Sequence, residues 1–202
     1  MREIALHLLD IAENSVAAQA RAVSITIDED LAADRLKASI CDDGHGMDPE
    51  MVARITDPFV TSRTTRKVGL GIPLLKAAAE ACQGGMRIES QVGQGTRMDV
   101  EFQRSHIDRM PLGDLAGTLL TLVVAYPDLN WKLDYRALAP GDNSRAEFNF
   151  DDLEIKEILG EIPLTEPDVL AFIRGHIEEG VAEVQKFIAD KENSYANREI
   201  TR

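Results

Sequence analysis

The sequence has little cysteine, no long apolar run and a deficit of positive charge. Only Cys41 and Cys82 occur in 202 residues, at no spacing typical of metal ligands, and we expect both to be buried free thiols in a reducing compartment. No apolar run approaches the roughly 18 residues of a membrane span. The N-terminus also lacks the apolar core and cleavage site of a signal peptide. These absences predict a cytoplasmic protein with no membrane partner.

Acidic residues outnumber basic residues. The chain has 35 acids and 22 bases, for a formal net charge of −13. A protein that binds the phosphate backbone through charge needs a basic face, so nucleic acid is a poor candidate partner. The excess is uneven, because residues 1–104 have 16 acids against 12 bases and residues 105–202 have 19 against 10. The two parts of the chain therefore differ in charge.

Hydrophobic periodicity predicts alternating helices and strands in residues 1–104. Ile4, Leu8 and Ile11 recur at helical spacing, whereas residues 23–27 and 36–40 alternate between apolar and polar. Farther along, the pattern predicts a short helix, a loop, a helix and a closing hairpin. The expected order is helix, two strands, helix, loop, helix, two strands.

The pattern changes after Arg104, where we place a domain boundary. Residues 105–202 are predicted to form a smaller, acidic α+β region with a helix at 112–125, strands at 131–135 and 146–150, and two further helices. The last dozen residues are polar, and we expect them to be frayed. As a hypothesis, this region serves for docking or dimerisation.

The first chemically informative segment is the opening helix, where Asp10 and Asn14 are spaced i, i+4 on a polar face. An amide oxygen is a suitable neutral ligand for Mg²⁺, which prefers oxygen and keeps several waters. A carboxylate one turn away can orient or deprotonate a water that attacks a terminal phosphate. This pattern alone is also typical of a solvated helix face.

The second segment is Asp42-Asp43-Gly44-His45-Gly46-Met47, at the end of a predicted strand. A buried carboxylate at Asp42 can accept a hydrogen bond from the exocyclic amine of adenine, whereas guanine has an acceptor at the equivalent place. Gly44 and Gly46 allow close backbone approach and unusual torsions. Without the other segments, a simple tight turn explains this motif equally well.

Two further segments complete the pattern. Arg63, Arg66 and Lys67 precede Gly69-Leu70-Gly71 and a predicted helix, and N–H groups at a helix N-terminus form a ready phosphate site. Gly93-Gln94-Gly95-Thr96 is a predicted hairpin turn whose threonine hydroxyl can join a water network around a base.

In this order, the segments resemble the N, G1, F, G2 and G3 boxes of the GHKL ATPase superfamily, which includes gyrase, heat-shock chaperones, sensor histidine kinases and mismatch-repair ATPases. DPFVTSR is similar to the F box of histidine kinases, and GLGIPLLKAAAEACQGG to their G2 box and following helix. The resemblance covers residues 1–104. It implies the Bergerat fold, a two-layer α/β sandwich in which a mixed sheet has helices on one face and nucleotide binds on the helical side.

The resemblance also assigns roles. It places Asp10 where a catalytic glutamate often stands and Asn14 on the magnesium ion. It implies contacts with Mg-ATP from Asn14, Asp42, Gly44, Gly46, Met47, Arg63, Arg66, Lys67, Gly69, Leu70, Gly71 and Thr96. The chain departs from the family at Ala17, where kinases commonly have Lys or Arg, and at Lys67-Val68, where the first G2 glycine is missing. Asp10 is one methylene shorter than glutamate, which disfavours fast hydrolysis.

The resemblance leaves three functions open. A sensor histidine kinase has its phosphoacceptor histidine on a helical hairpin upstream of this domain; here the N box begins within the first ten residues, so we expect no such hairpin. The first alternative is a regulatory ATPase or kinase domain that acts on a partner protein, similar to stand-alone anti-sigma serine kinases. The second is a non-hydrolysing, ATP-gated interaction module. The third is an ATPase coupled to homodimer closure, for which Lys132 is the candidate lysine.

Overall fold

The computed structural model describes residues 3–55, 71–141 and 144–200, with side chains up to residue 194. The helices of this part of the chain are α1 (Ile4–Ala17), α2 (Pro49–Arg54), α3 (Gly71–Ala81), α4 (Leu115–Ala125), α5 (Asp152–Leu159) and α6 (Pro167–Ile200). Its strands are β1 (Ala22–Asp30), β2 (Arg35–Asp42), β3 (Gly85–Gln91), β4 (Gly95–Gln103), β5 (Asn130–Leu138) and β6 (Arg145–Asp151). The predicted order of helices and strands is confirmed.

The strands form one mixed sheet in the order β3-β4-β2-β1-β5-β6. β1 pairs in parallel with β5, and the other neighbouring strands are antiparallel. β2 ends at Asp42, opposite Val23 near the start of β1 and Thr96 near the start of β4. The chain therefore brings Asp42 and Thr96 together at one end of the sheet.

The helices cover one face of this sheet. Alternate residues of β1 are buried, beginning with Val23 and Ile25, and the residues between them are partly exposed on the opposite face. Buried positions of α1, α3, α4 and α6 belong to the same hydrophobic core as these strand residues. The largest fully buried side chains include Trp131 and Tyr135 of β5. The predicted mixed sheet with helices on one face is confirmed.

The sheet and its core extend past residue 104. β5 pairs with the whole length of β1, so residues 130–151 add two strands to the sheet that residues 22–103 begin. Glu29 of β1 accepts hydrogen bonds from the Tyr135 hydroxyl at 2.7 Å and from Arg104 Nε at 2.6 Å, and Arg104 also binds Glu192 of α6. That residues 1–104 and 105–202 form separate domains therefore stays a prediction.

Helix α6 corrects one expectation about the C-terminus. The helix has 34 residues and continues to Ile200, although the sequence predicts a frayed tail after residue 190. Its buried residues Ile173, Ile177 and Val184 pack onto the core, so tertiary contacts stabilise a helix that begins well before the polar segment. Among the described residues, no helix combines the length and apolar character needed to cross a membrane.

The two cysteines differ, which corrects the expectation that both are buried. Cys82 is buried, and desolvation raises the pKa of its thiol. Cys41 is exposed, because it alternates with the buried Ile40 and so faces the open side of the sheet.

A polar cluster on the open face gives a testable pH dependence. Burial alone would raise the pKa of Asp99, but hydrogen bonds from Arg97, Ser39 and Lys37 outweigh it and lower the pKa from 3.8 to about 2. The charged form therefore stabilises the fold above pH 3.8, and this contribution is lost as the pH falls through about 2. We expect Asp99→Asn to reduce the free energy of unfolding by about 1 kcal/mol at pH 7.

Urea unfolding between pH 7 and pH 2.5 measures this difference. The difference between wild type and Asp99→Asn should shrink below pH 4, because protonation removes the same charge from the wild type. Glu101→Gln is the matched control, since Glu101 forms an exposed ion pair with Arg35 at 3.2 Å and should change stability by less than about 0.5 kcal/mol. A difference that stays constant with pH would show that the Asp99 charge does not stabilise the fold.

Candidate ATP-binding site

The Asp42 carboxylate is fixed by contacts from both sides. Its Oδ2 accepts a hydrogen bond from Ser15 Oγ of α1 at 2.7 Å, and its Oδ1 accepts one from Gly44 N at 2.9 Å. The side chain is half-buried, not fully buried as the sequence pattern predicts. Each carboxylate oxygen has a second lone pair, so the group can still accept a hydrogen bond from a ligand amine.

Three glycines allow the protein segments around Asp42 to approach one another. A Cβ on Gly95, where φ is +98°, would lie 1.9 Å from the Asp42 carbonyl oxygen. A Cβ on Gly46, where φ is +65°, would lie 2.0 Å from the Gln91 carbonyl oxygen, and one on Gly44 would lie 2.8 Å from that of Ala18. These glycines therefore let the loop after β2 pack closely against the β3–β4 hairpin and the end of α1. The motif also predicts that they let the backbone approach a base.

The β3–β4 hairpin is joined to the glycine loop through Ser90. The Ser90 hydroxyl accepts a hydrogen bond from Met47 N at 2.8 Å and lies 2.9 Å from the Gly95 carbonyl and 2.8 Å from Thr96 Oγ1. The backbone adds a second link, because Gly93 N donates to the carbonyl of His45. Met47 and Thr96 thus belong to one hydrogen-bonded cluster with Asp42 nearby.

Sequence reasoning missed Ser15 and Ser90. Ser15 directly follows Asn14, a predicted site residue, so its position in the sequence was a signal. Ser90 lies on a strand with no distinguishing pattern, and only the fold brings it to Met47 and Thr96.

Helix α1 runs between the two glycine segments of the site. Its C-terminal turn contacts the first segment, through Ser15 and through the Ala18 carbonyl, which accepts a hydrogen bond from His45 N. Its middle contacts the start of α3, where a Cβ on Gly71 would lie 2.8 Å from Asp10 Oδ2. Asn14 lies between these contacts and is exposed, and Asp10 is half-buried.

His7 forms a further contact with the start of α3. Its ring is buried, and Nδ1 lies 3.2 Å from the Gly71 carbonyl oxygen. Burial lowers the pKa of His7, so the ring is neutral at pH 7, and the contact requires a proton on Nδ1 because a carbonyl only accepts. Burial and this contact with the α3 backbone account for the position of His7.

Asp43 ties the glycine loop to the central strands. Its Oδ1 accepts hydrogen bonds from the backbone N–H groups of Arg21 at 2.7 Å and Ala22 at 2.9 Å. Desolvation would raise the pKa of Asp43, but these donors outweigh it and lower the pKa. The two adjacent carboxylates therefore differ in their hydrogen-bond donors. Asp43 accepts from two backbone N–H groups, whereas Asp42 accepts from the Ser15 hydroxyl and one backbone N–H, that of Gly44.

Part of the predicted site lies outside the described residues. This applies to Arg63, Arg66, Lys67, Gly69 and Leu70, so their contacts with phosphate stay predictions. Lys132, the candidate lysine for dimer-coupled hydrolysis, lies on β5 with its Nζ 2.6 Å from Asp151.

The fold and the clustered glycine motifs define a nucleotide-binding domain, and comparison with known families agrees. The family model described as histidine kinase-, DNA gyrase B- and HSP90-like ATPase matches residues 1–106, more than half of the chain. The chain belongs to this family, and residues 1–106 form an ATP-binding domain of the histidine kinase type. The resemblance found in the sequence is confirmed.

Known relatives match about half of the chain. A putative sensor protein from Shewanella frigidimarina is 32% identical over 109 residues, which cover 54% of this chain and 16% of that protein. The sensor protein kinase FleS from Pseudomonas aeruginosa is 38% identical over 89 residues, which cover 44% of this chain and 22% of that protein. The matched part of the chain thus spans about a fifth of the length of these relatives.

Similar solved structures include full-length ShkA in complex with AMPPNP. It is 30% identical, with a TM-score of 0.41, and the match covers 48% of this chain and 20% of that one. The catalytic domain of the histidine kinase ThkA is 21% identical, with a TM-score of 0.41, and the match covers 52% and 68% of the two chains.

Proposed function

We propose that this protein binds Mg-ATP at the end of its sheet and acts as a regulatory, histidine-kinase-like ATPase or kinase on or through a partner protein. The observation that carries the proposal is the position of α1. This helix contacts Asp42 and the first glycine segment at its C-terminal turn, and the start of α3 at Asp10. In this proposal an adenine site at the C-terminal turn of α1 and a phosphate site near its middle lie along one rigid element.

At the adenine site, Asp42 accepts a hydrogen bond from the exocyclic amine, and Thr96 orders a bridging water. The Ser15 and Gly44 hydrogen bonds hold the carboxylate in one orientation, so little side-chain freedom is lost when a base binds. The site favours adenine over guanine, whose carbonyl oxygen would face a carboxylate with no proton between them.

At the phosphate site, Asn14 and Asp10 present oxygen atoms one helical turn apart. The residues fit a hard cation, because an exposed amide and a half-buried carboxylate leave room for coordinated waters. A bound Mg²⁺ neutralises triphosphate charge there. Asp10 orients a water or an acceptor hydroxyl, and the start of α3 at Gly71 supplies backbone N–H groups.

A second candidate function, ATP-gated binding without turnover, is favoured by a hydrogen-bonded connection from the site to the C-terminal region. Asp43 holds the N–H of Arg21, and the Arg21 carbonyl accepts a hydrogen bond from Asn130 N at 2.8 Å. The Asn130 side chain donates to Asp151 and Asp152 at the start of α5. A nucleotide that moves the glycine loop can thereby bias the position of α5.

Calorimetric titration with Mg-ATP, Mg-ADP and Mg-GTP tests the proposal, followed by phosphate-release and radiolabel-transfer assays on the same protein. Adenine-selective binding is expected. Release or transfer of phosphate then identifies an ATPase or kinase, and binding without turnover identifies the gated module. Turnover per molecule that rises with protein concentration would favour dimer-coupled hydrolysis. Absence of nucleotide binding would contradict all three functions.

Removal of Mg²⁺ and removal of the Asn14 amide should weaken ATP binding through the same lost interaction. We expect Asn14→Ala to weaken ATP binding roughly tenfold in the presence of Mg²⁺, because one ligand to the ion is lost. In EDTA, wild type and Asn14→Ala should bind ATP equally weakly. Titration calorimetry measures both conditions, and Glu13→Gln, the neighbouring change on α1, should leave the Mg²⁺ dependence intact. An equal loss with and without Mg²⁺ would place the ion elsewhere.

A further inference from the structure

An apolar groove lies between α5 and α6, on the part of the chain that the family model does not cover. It has a volume of about 340 Å³ and is lined by Ile155, Ile158 and Leu159 of α5 and by Val169 and Phe172 of α6. Ile158 is 85% exposed and Phe172 is 62% exposed. Adjacent large apolar side chains at this exposure are typical of a surface that another molecule covers.

Aromatic packing holds one wall of the groove in place. The Phe172 ring is stacked on His176, with ring centroids 6.2 Å apart and an interplanar angle of 4°. His176 in turn packs edge-on against Phe148 of β6 at 5.5 Å. The exposed phenylalanine is therefore positioned by contacts that reach the sheet, which limits the entropy lost when a ligand binds.

The groove is set in a strongly acidic segment. Residues 151–179 contain nine acids and two bases, and both bases already pair with acids of their own helices: Lys156 with Asp152 and Arg174 with Glu178. Glu154 and Asp168 line the groove, and neither forms an ion pair among the described residues. Lys132, which pairs with Asp151 at 2.6 Å, interacts with Glu154 only at longer range. The rim thus presents negative charge around an apolar floor.

We propose that the groove binds an amphipathic helix of a partner protein, with apolar residues along one face and Lys or Arg beside them. The eight residues of α5 extend about 12 Å, so two turns of a partner helix can lie along the groove with anchors at i, i+3 or i+4, and i+7. The acidic rim selects a basic partner and disfavours a second copy of this chain, whose groove has the same charge. This site goes beyond the proposed nucleotide function and is measurable without nucleotide.

Binding of a fluorescently labelled peptide tests the proposal on the full chain. The probe is an 18-residue helix of Leu and Lys with Leu at helical spacing, and the controls are a Leu/Glu peptide of the same pattern and a scrambled Leu/Lys peptide. Fluorescence anisotropy should show binding of the patterned Leu/Lys peptide that weakens with salt. The Leu/Glu and scrambled peptides should bind at least tenfold more weakly.

Groove variants locate the site. Phe172→Ser combined with Ile158→Ser should weaken binding at least tenfold, and Glu154→Gln combined with Asp168→Asn should weaken it several-fold and reduce its salt dependence. Because Phe172 and Ile158 are exposed, the variants are expected to keep wild-type circular dichroism. Ile107→Ser, at a residue that is 95% exposed and does not line the groove, and Glu183→Gln are matched controls that should bind like wild type.

The proposal is overturned if the patterned peptide does not bind, if the scrambled peptide binds equally well, or if the groove variants bind like wild type. It is also overturned if the wild type sediments as a dimer that Phe172→Ser dissociates, because the occupant would then be a second copy. A failure of nucleotide binding would leave each of these results unchanged, so the two proposals fail separately.

Discussion

Asp42→Asn is expected to weaken Mg-ATP binding by roughly 30- to 100-fold, because a hydrogen bond to a charged acceptor is lost from a half-buried site. The loss should be larger for ATP than for GTP. An asparagine amide can donate to the guanine carbonyl, whereas the carboxylate only accepts. Titration calorimetry with both nucleotides should therefore show a weaker preference for adenine as well as a weaker affinity.

Asp43→Asn is the matched control for this prediction. It makes the same chemical change one residue away, but Asp43 accepts the backbone N–H groups of Arg21 and Ala22. We expect it to lower stability by no more than about 1 kcal/mol and to change ATP affinity less than threefold. If Asp42→Asn binds ATP as Asp43→Asn does, with its selectivity intact, adenine is recognised by another group.

Ser15→Ala separates the orientation of Asp42 from its charge. The variant removes the 2.7 Å hydrogen bond to Oδ2 and leaves the carboxylate in place. An affinity between those of wild type and Asp42→Asn would indicate that the fixed orientation contributes to binding.

Much of the fold could be predicted from the sequence because local patterns determine it. Helix α1 and strands β1 and β2 follow from periodicity. Pro49 is typical of the first position of a helix, and α2 begins there; the Asp48 carboxylate caps it by accepting a hydrogen bond from Met51 N at 2.7 Å. The pairing of β5 with β1 could not be predicted in this way. It joins residues more than 100 positions apart, and strand patterns do not specify which strands pair.

The same distinction applies to the site. Asp42, Gly44 and Gly46 are adjacent in sequence and form a recognisable motif. Ser90 was missed because its role depends on β3 lying beside the loop, a contact between residues 47 and 90. The burial of Asp42 was overestimated for a related reason, since the degree of exposure at a strand end depends on which loops surround it.

Gly95→Ala is expected to destabilise the fold by roughly 2 to 5 kcal/mol and to weaken ATP binding more than tenfold. Positive φ costs an alanine about 1 to 2 kcal/mol, and overpacking against fixed backbone about 1 to 3 kcal/mol more. Here the added Cβ would lie 1.9 Å from the Asp42 carbonyl oxygen and 2.9 Å from Asp43 Cα. Relief of this clash must displace the backbone that positions the Asp42 carboxylate.

Gly93→Ala separates the clash from the backbone strain. Gly93 is in the same hairpin and has φ of +76°, but a Cβ there would have nothing within 4 Å. It should therefore cost only about 1 to 2 kcal/mol and leave ATP affinity nearly unchanged. Urea unfolding and Mg-ATP titration of both variants distinguish the two causes. Equal effects would mean that turn conformation alone limits this hairpin, whereas a selective loss in Gly95→Ala would show that close approach of β4 to Asp42 shapes the adenine site.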